Sequence, residues 1–334
     1  MKAVIYGLLM ILLGIGILTV TVFTIGIDKI TVSLKNISVI NIAGFLSLSI
    51  LAMFLASYRW KKILQTLGFD LKISDLFQFN LMGFAVGYIT PVGRIGGAPA
   101  RMIFMEKKGV PKEKGLSSVL LDNIIENTFD ALFGITIICL FLTLKEGVPE
   151  TLKITVIAGM ILLFLAICTF YYLMYTGKRV FSMIFSVTRL TKLKLFSWTD
   201  KEIHQLDTLF TWFLRNQKFE FLRIFTISAM TWAILIVQYK IALATLGQDA
   251  TIFQTLLMMA GLAVVAVTPI PAGLGVLEFG QATIFLILGM NPATGIAFAI
   301  LIRIRDFFIT MLGASSLLQY GMANLTNGTD KKSK

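Results

Sequence analysis

Three carboxylates stand four residues apart in an apolar stretch: Asp122, Glu126 and Asp130, with Asn123 and Asn127 beside them. Side chains at i, i+4 and i+8 fall on one side of a helix. They suit either a Mg²⁺ ion held against a lipid phosphate or ion pairs with basic groups on another helix. A second set is mainly basic. Arg94, Arg101 and Arg303 carry planar forks that match phosphate oxygens. Glu278 can balance that charge or meet a cationic headgroup, and Arg305 and Asp306 adjoin in the last apolar stretch. A charge at the centre of a membrane helix costs about 2.5–3.5 kcal/mol on insertion scales, so each one needs a reason. Pairing between helices is one reason and direct contact with a substrate is another; a pair that breaks during transport serves both.

The elements that must position these groups are membrane helices. The chain of 334 residues is 57% hydrophobic and only 14% charged, which excludes a soluble enzyme and implies a multi-pass protein of the cell membrane. The net charge of +12 then points to anionic lipid and not to nucleic acid. Full spans are expected near 4–27, 38–58, 115–144, 153–176, 222–246 and 293–320, with broken apolar regions near 76–106 and 252–290. Cys139 and Cys168 lie inside apolar runs as small packing residues. His204 is the sole histidine and has no cluster of Cys, His or acidic partners, so neither a metal nor another cofactor is expected.

Basic residues set the topology. Arg59, Lys61, Lys62 and Lys72 follow the second span and place that loop, and both termini, in the cytoplasm. Arg101, Lys107, Lys108, Lys112 and Lys114 end the first broken region on the same side, so 76–106 enters and turns back. Its first helical part, about 15 residues or roughly 22 Å, falls short of a ~30 Å core. A proline-kinked full crossing is the alternative, but it would put those five basic residues outside. By the same logic the second broken region, 252–290, enters from outside. The connector 177–221 carries Phe181, Ile184, Phe185, Leu206, Leu209, Phe210 and Phe213 at helical spacing, as in amphipathic helices at a leaflet surface or a solvated link.

The two broken regions are copies of one another. At an offset of 178, Gly83, Ala85, Val86, Thr90, Pro91 and Gly97 fall on Gly261, Ala263, Val264, Thr268, Pro269 and Gly275. Each copy is a short apolar helix ending in a Thr-Pro break and a glycine-rich turn, the pattern of half-helices that meet a substrate near the bilayer midplane. The expected fold is all-α: a single transmembrane domain over 1–334, with about six spans and two oppositely oriented re-entrant hairpins. Its inverted-repeat halves are 38–144 and 222–320. Gly96, Gly97, Gly273 and Gly275, with Pro269, would let a headgroup approach the backbone; helix packing is the other use for such glycines.

The runs Thr90-Pro91 through Gly93-Arg94-Ile95-Gly96-Gly97, Pro99 and Arg101, then Pro269 to Glu278, and a later arginine at Arg303, are similar to the membrane region of lysylphosphatidylglycerol synthase. The resemblance covers nearly the whole chain and extends to uncharacterised membrane proteins of the same flippase-like family. It implies movement of a phospholipid or polyisoprenyl-phosphate lipid between leaflets. The first motif departs from the family at Ala98, where an acidic residue is usual. The soluble aminoacyl-transferring part of the full synthase has no counterpart here, so lysinylation of lipid is not expected. A Mg²⁺-dependent lipid-phosphate transferase, and a non-catalytic partner of a separate lipid-modifying enzyme, are the alternatives. Homo-oligomer formation is left open.

Overall fold

The computed structural model describes residues 2–34, 37–90, 97–144, 149–188, 200–268 and 270–330. Every regular element among them is helical: α1 (Lys2–Ile25), α2 (Ile27–Leu34), α3 (Val39–Thr66), α4 (Ile73–Ile89), α5 (Gly97–Glu106), α6 (Lys112–Leu144), α7 (Glu150–Thr176), α8 (Val180–Thr188), α9 (Asp200–Asn216), α10 (Lys218–Thr245), α11 (Ile252–Val267), a 3-10 turn at Pro271–Gly273, α12 (Val276–Ile287) and α13 (Pro292–Asp330). Four of these, α3, α6, α7 and α10, are long and apolar enough to cross a membrane. The pair α1–α2 would be a fifth crossing, bent by 85° where Gly26 takes φ +96. At 39 residues α13 is the longest helix, and Arg303, Arg305 and Asp306 interrupt its apolar character. The helices of the two broken regions, α4, α5, α11 and α12, have 17, 10, 16 and 12 residues. Each is shorter than the ~20 residues a membrane helix needs.

The chain divides into two compact units: Met1–Ser57, Lys72–Phe104 and Met230–Lys334 form one, Tyr58–Leu71 and Met105–Ala229 the other. Both copies of the repeat motif belong to the first. Lipid tails are as apolar as leucine, so helices in a membrane associate through close packing and hydrogen bonds more than through hydrophobic burial. The first unit follows that rule. A Cβ added to Gly313 of α13 would lie 2.2 Å from the Leu81 carbonyl oxygen of α4, and one on Gly295 would lie 2.7 Å from the Gln281 carbonyl of α12. Helix α13 thus touches both α4 and α12 at backbone distance. On the other side of α12, Gly275 meets Gly14 of α1, where an added Cβ would stand 2.3 Å from a carbonyl oxygen. Polar ties complete the unit. Gln238 of α10 donates to the Phe45 carbonyl and to Ser49 of α3, and Asn80 of α4 donates to Ser57 at 2.8 Å.

The second unit is built on aromatic packing of Phe170, Tyr171, Phe181, Phe210 and Phe221. Here the connector's apolar stripe has a definite destination. Ile203, Leu206, Phe210 and Phe213 of α9 are buried within the unit, while Met183, Ile184 and Val187 of α8 stay exposed. Asp207 of α9 caps the start of α8, accepting the Phe181 and Ser182 N–H groups at 2.8 and 3.1 Å. It thereby satisfies donors that a free helix end leaves orphaned. At the other end of the same contact, Thr211 and Arg215 donate to the Met174 and Tyr175 carbonyls that close α7.

Candidate functional site

The first arm is a hairpin. Thr90, forced out of helical geometry by the proline that follows, has φ −74 and ψ 137, and α4 stops there. Helix α5 doubles back alongside α4, because a Cβ on Gly97 would lie 2.5 Å from the Gly83 carbonyl oxygen. One turn later the Arg101 side chain lies over Gly83, its Cγ 2.7 Å from where a Cβ would stand. Arg101 is buried. Any larger residue at 83 or 97 would push the two halves of this arm apart.

The second arm doubles back as well. Gln281 of α12 donates to the Met258 carbonyl of α11 at 3.0 Å, and Gly261 sits against Ile284 and Gln281. Its tip carries three left-handed residues in four positions, Ala272 (φ 54), Gly273 (φ 61) and Gly275 (φ 77). Glycine takes that conformation without penalty, but alanine there costs roughly 1–2 kcal/mol. Helix α12 then begins, and Glu278 reaches back to accept the Gly275 N–H at 2.9 Å. This is the acidic half of a capping box, the glycine having no side chain for the other half.

Arg303 of α13 collects these groups. Its Nε donates to Glu278 Oε1 at 2.8 Å, one Nη to Glu278 Oε2 at 3.2 Å and to the Gly273 carbonyl at 3.1 Å. The other Nη donates to the Ala272 carbonyl and to the Tyr88 hydroxyl at 3.3 Å. A guanidinium has five N–H donors, and all five are engaged. Tyr88 stands at the end of α4, so Arg303 links the close of the first arm to the tip of the second. Glu278 is buried, and the Arg303 side chain is 19% exposed. The strained Ala272 peptide has an evident use: it turns its carbonyl toward Arg303.

Of the residues singled out from sequence, Arg303, Glu278, Gly273 and Gly275 come together here. Arg101 and Gly97 sit together in the first arm. Arg94, Gly96 and Pro269 lie outside the described residues. The acidic stripe is elsewhere, in the second unit, and its partner is Arg59 of α3. Arg59 Nε meets Asp122 at 2.8 Å, one Nη meets Glu126 at 2.6 Å, and the other donates to Ser228 at 3.3 Å. Arg59 and Asp122 are 1% and 2% exposed. Asp130 is half-buried farther along α6. Arg305 pairs with its neighbour Asp306 at 2.8 Å and donates to the Tyr239 hydroxyl at 2.7 Å. The acidic stripe and the α13 charges therefore satisfy separate partners. Sequence reasoning missed two participants. Arg59 reads as a loop marker because it opens a basic run, although it lies two turns inside α3. Tyr88 had a faint signal, a hydroxyl where the second copy has Ala266.

The model of the lysylphosphatidylglycerol synthase TM region matches residues 5–313. The chain belongs to that family. Its relatives include a UPF0104 membrane protein of Pyrococcus horikoshii, 23% identical over 93% of this chain and 96% of the relative. Another, from Methanothermobacter thermautotrophicus, is 20% identical over 94% and 96%. A third, from Methanocaldococcus jannaschii, is 30% identical over 35% of each chain. Family membership and the long apolar helices together make this an integral membrane protein.

Proposed function

We propose that this protein moves a phosphate-bearing lipid, a phospholipid or a polyisoprenyl phosphate, between leaflets, with the two arm tips as the working site. The observation that carries the reading is the Arg303 cluster. A half-buried arginine in an apolar helix bundle grips one carboxylate and two carbonyls of a strained tip, and reaches the end of the other arm through Tyr88. Ionisable groups inside a membrane are rare, and those that pair with one another or with backbone carbonyls line substrate and ion paths.

The arms are read as re-entrant hairpins entering from opposite faces among about six spans, with both termini cytoplasmic. Charge bias, helix lengths of 10–17 residues and chain reversal in each arm support that reading. With all five donors engaged, Arg303 takes a phosphate only by exchange. Phosphate oxygens replace the Ala272 and Gly273 carbonyls, the tip is released, and Glu278 is left to hold the start of α12. Arg94 and Arg101, on the first arm, supply the further positive charge. This gives the lipid different contacts in two states, which any ligand-driven switch requires. The Mg²⁺-dependent transferase reading is weaker, because Asp122 and Glu126 already direct oxygens at Arg59.

The test is reconstitution in liposomes with headgroup-labelled phospholipid and labelled polyisoprenyl phosphate, following exposure of the label at the outer leaflet. Arg303→Ala and Glu278→Ala should each cut translocation at least tenfold while the protein still inserts. Translocation that survives both, and Arg94→Ala besides, would remove the tips as the site. Mg²⁺-dependent formation of a covalent lipid product would favour the transferase.

A further inference from the structure

The second unit holds a cavity that the tip site does not use. It has a volume of about 580 Å³ and is bounded by α6, α7, α9 and α10, within the range of ligand pockets. Its walls are almost wholly carbon. Phe164, Cys168, Tyr171 and Tyr175 of α7 recur at helical spacing along one side, facing Leu132 of α6 and Phe225 of α10. Its two half-buried hydroxyls satisfy each other, Tyr171 donating to Thr128 at 3.0 Å. From Phe164 to Tyr175 the wall runs roughly 16 Å at 1.5 Å per residue. That is about half a ~30 Å hydrocarbon core, the depth of one leaflet.

Only one end of this groove is charged. There Lys218 Nζ stands 6.0 Å from the Tyr175 ring centroid and the Arg215 guanidinium 5.9 Å from it. Arg215 is held in place by its bond to the Tyr175 carbonyl at 2.7 Å. Neither cation has a carboxylate partner among the described residues; the nearby Glu220 is taken by Arg223. These residues begin α10, end α9 and end α7, so they lie where helices leave the hydrocarbon. An apolar slot one leaflet deep, opening at two unpaired cations beside an aromatic ring, has the shape and charge of a single lipid. We infer that this groove binds an anionic phospholipid, one acyl tail along α7 and its phosphate at Lys218 and Arg215. The site shares no residue with the arm tips and does not depend on translocation.

The test uses the full-length protein in mixed vesicles with two photoreactive phospholipids, phosphatidylglycerol and phosphatidylcholine, each bearing a diazirine on one tail. Cross-linked peptides should map to residues 128–132, 164–175 and 221–225. Phosphatidylglycerol should label several-fold more than phosphatidylcholine, since each basic residue near a membrane surface favours anionic lipid by about fivefold. The Arg215→Gln, Lys218→Gln double variant changes exposed side chains only. It should abolish that preference and leave phosphatidylcholine labelling as it was. Cys168→Trp, which fills the groove, should suppress labelling by both. Equal labelling by the two lipids, or a preference unchanged in the double variant, would overturn the inference. So would a dimer contact that shields the groove from both probes.

Discussion

Arg59 and Arg303 both stand well inside long helices, the first buried and the second half-buried, yet they are held in opposite ways. Arg59 is clasped by two carboxylates one turn apart on α6, with Ser228 as a third partner. Arg303 has one carboxylate and spends its remaining donors on backbone carbonyls and a phenol. A cation facing two anions, all belonging to regular helices, is a lock. A cation gripping the carbonyls of a strained turn is a clasp, because carbonyls are weaker acceptors than carboxylates and the turn stores energy that favours letting go. The same side chain is thus held between two carboxylates in one unit and by weaker, more readily exchanged acceptors in the other.

The largest effect should come from breaking the lock. Arg59→Leu strands Asp122 and Glu126 without their cation, and loss of one partner from a buried pair costs about 3–5 kcal/mol. Thermal unfolding of the detergent-purified variant should show that loss. Replacing Arg59, Asp122 and Glu126 together by apolar residues should recover most of it; if stability stays low, the trio does more than hold helices. A smaller effect should come from loosening the clasp. Tyr88→Phe removes one neutral hydrogen bond, about 0.5–1.5 kcal/mol, and should shift melting only slightly while altering translocation kinetics. A change in melting as large as that for Arg59 would erase the distinction between lock and clasp.

The smallest effect sets the baseline of a solvated pair. Asp70, in the loop after α3, accepts from Lys61 at 3.1 Å and Gln65 at 3.0 Å. Those bonds hold its carboxyl below the usual range, the Lys61 bond contributing most. A carboxylate depressed on folding adds stability above its ordinary pKa of about 4 and loses it as pH falls through the folded value. Exposed pairs add little. Lys61→Ala should move the Asp70 titration, followed by NMR, back up toward that ordinary value with no visible change in melting. No movement would mean the pair does not form in solution.

Much of this was legible in the residues. The helix bundle follows from composition, and the two reversals from the placement of basic residues, with Thr-Pro marking where each helix stops, because a proline both ends a helix and bars helical geometry in the residue before it. Glu278 and Arg303 stood out because charge is costly in an apolar run. The pairings were not legible. Nothing local tells Asp122 that its partner is Arg59 and not Arg303, since that depends on which helices are neighbours and at what depth. The repeat also misleads about detail. Gly97 and Gly275 align, yet one meets Gly83 inside its own arm and the other meets Gly14 of α1.

The two glycines of α13 have a mechanical consequence. Gly313 meets α4 and Gly295 meets α12, both at backbone distance, so at these two points no long side chain separates α13 from either arm. A side chain at such a contact would absorb small rotations by changing rotamer; bare backbone has no such slack. A turn of α13 about its axis would therefore drive both arms at once, as a camshaft drives two valves.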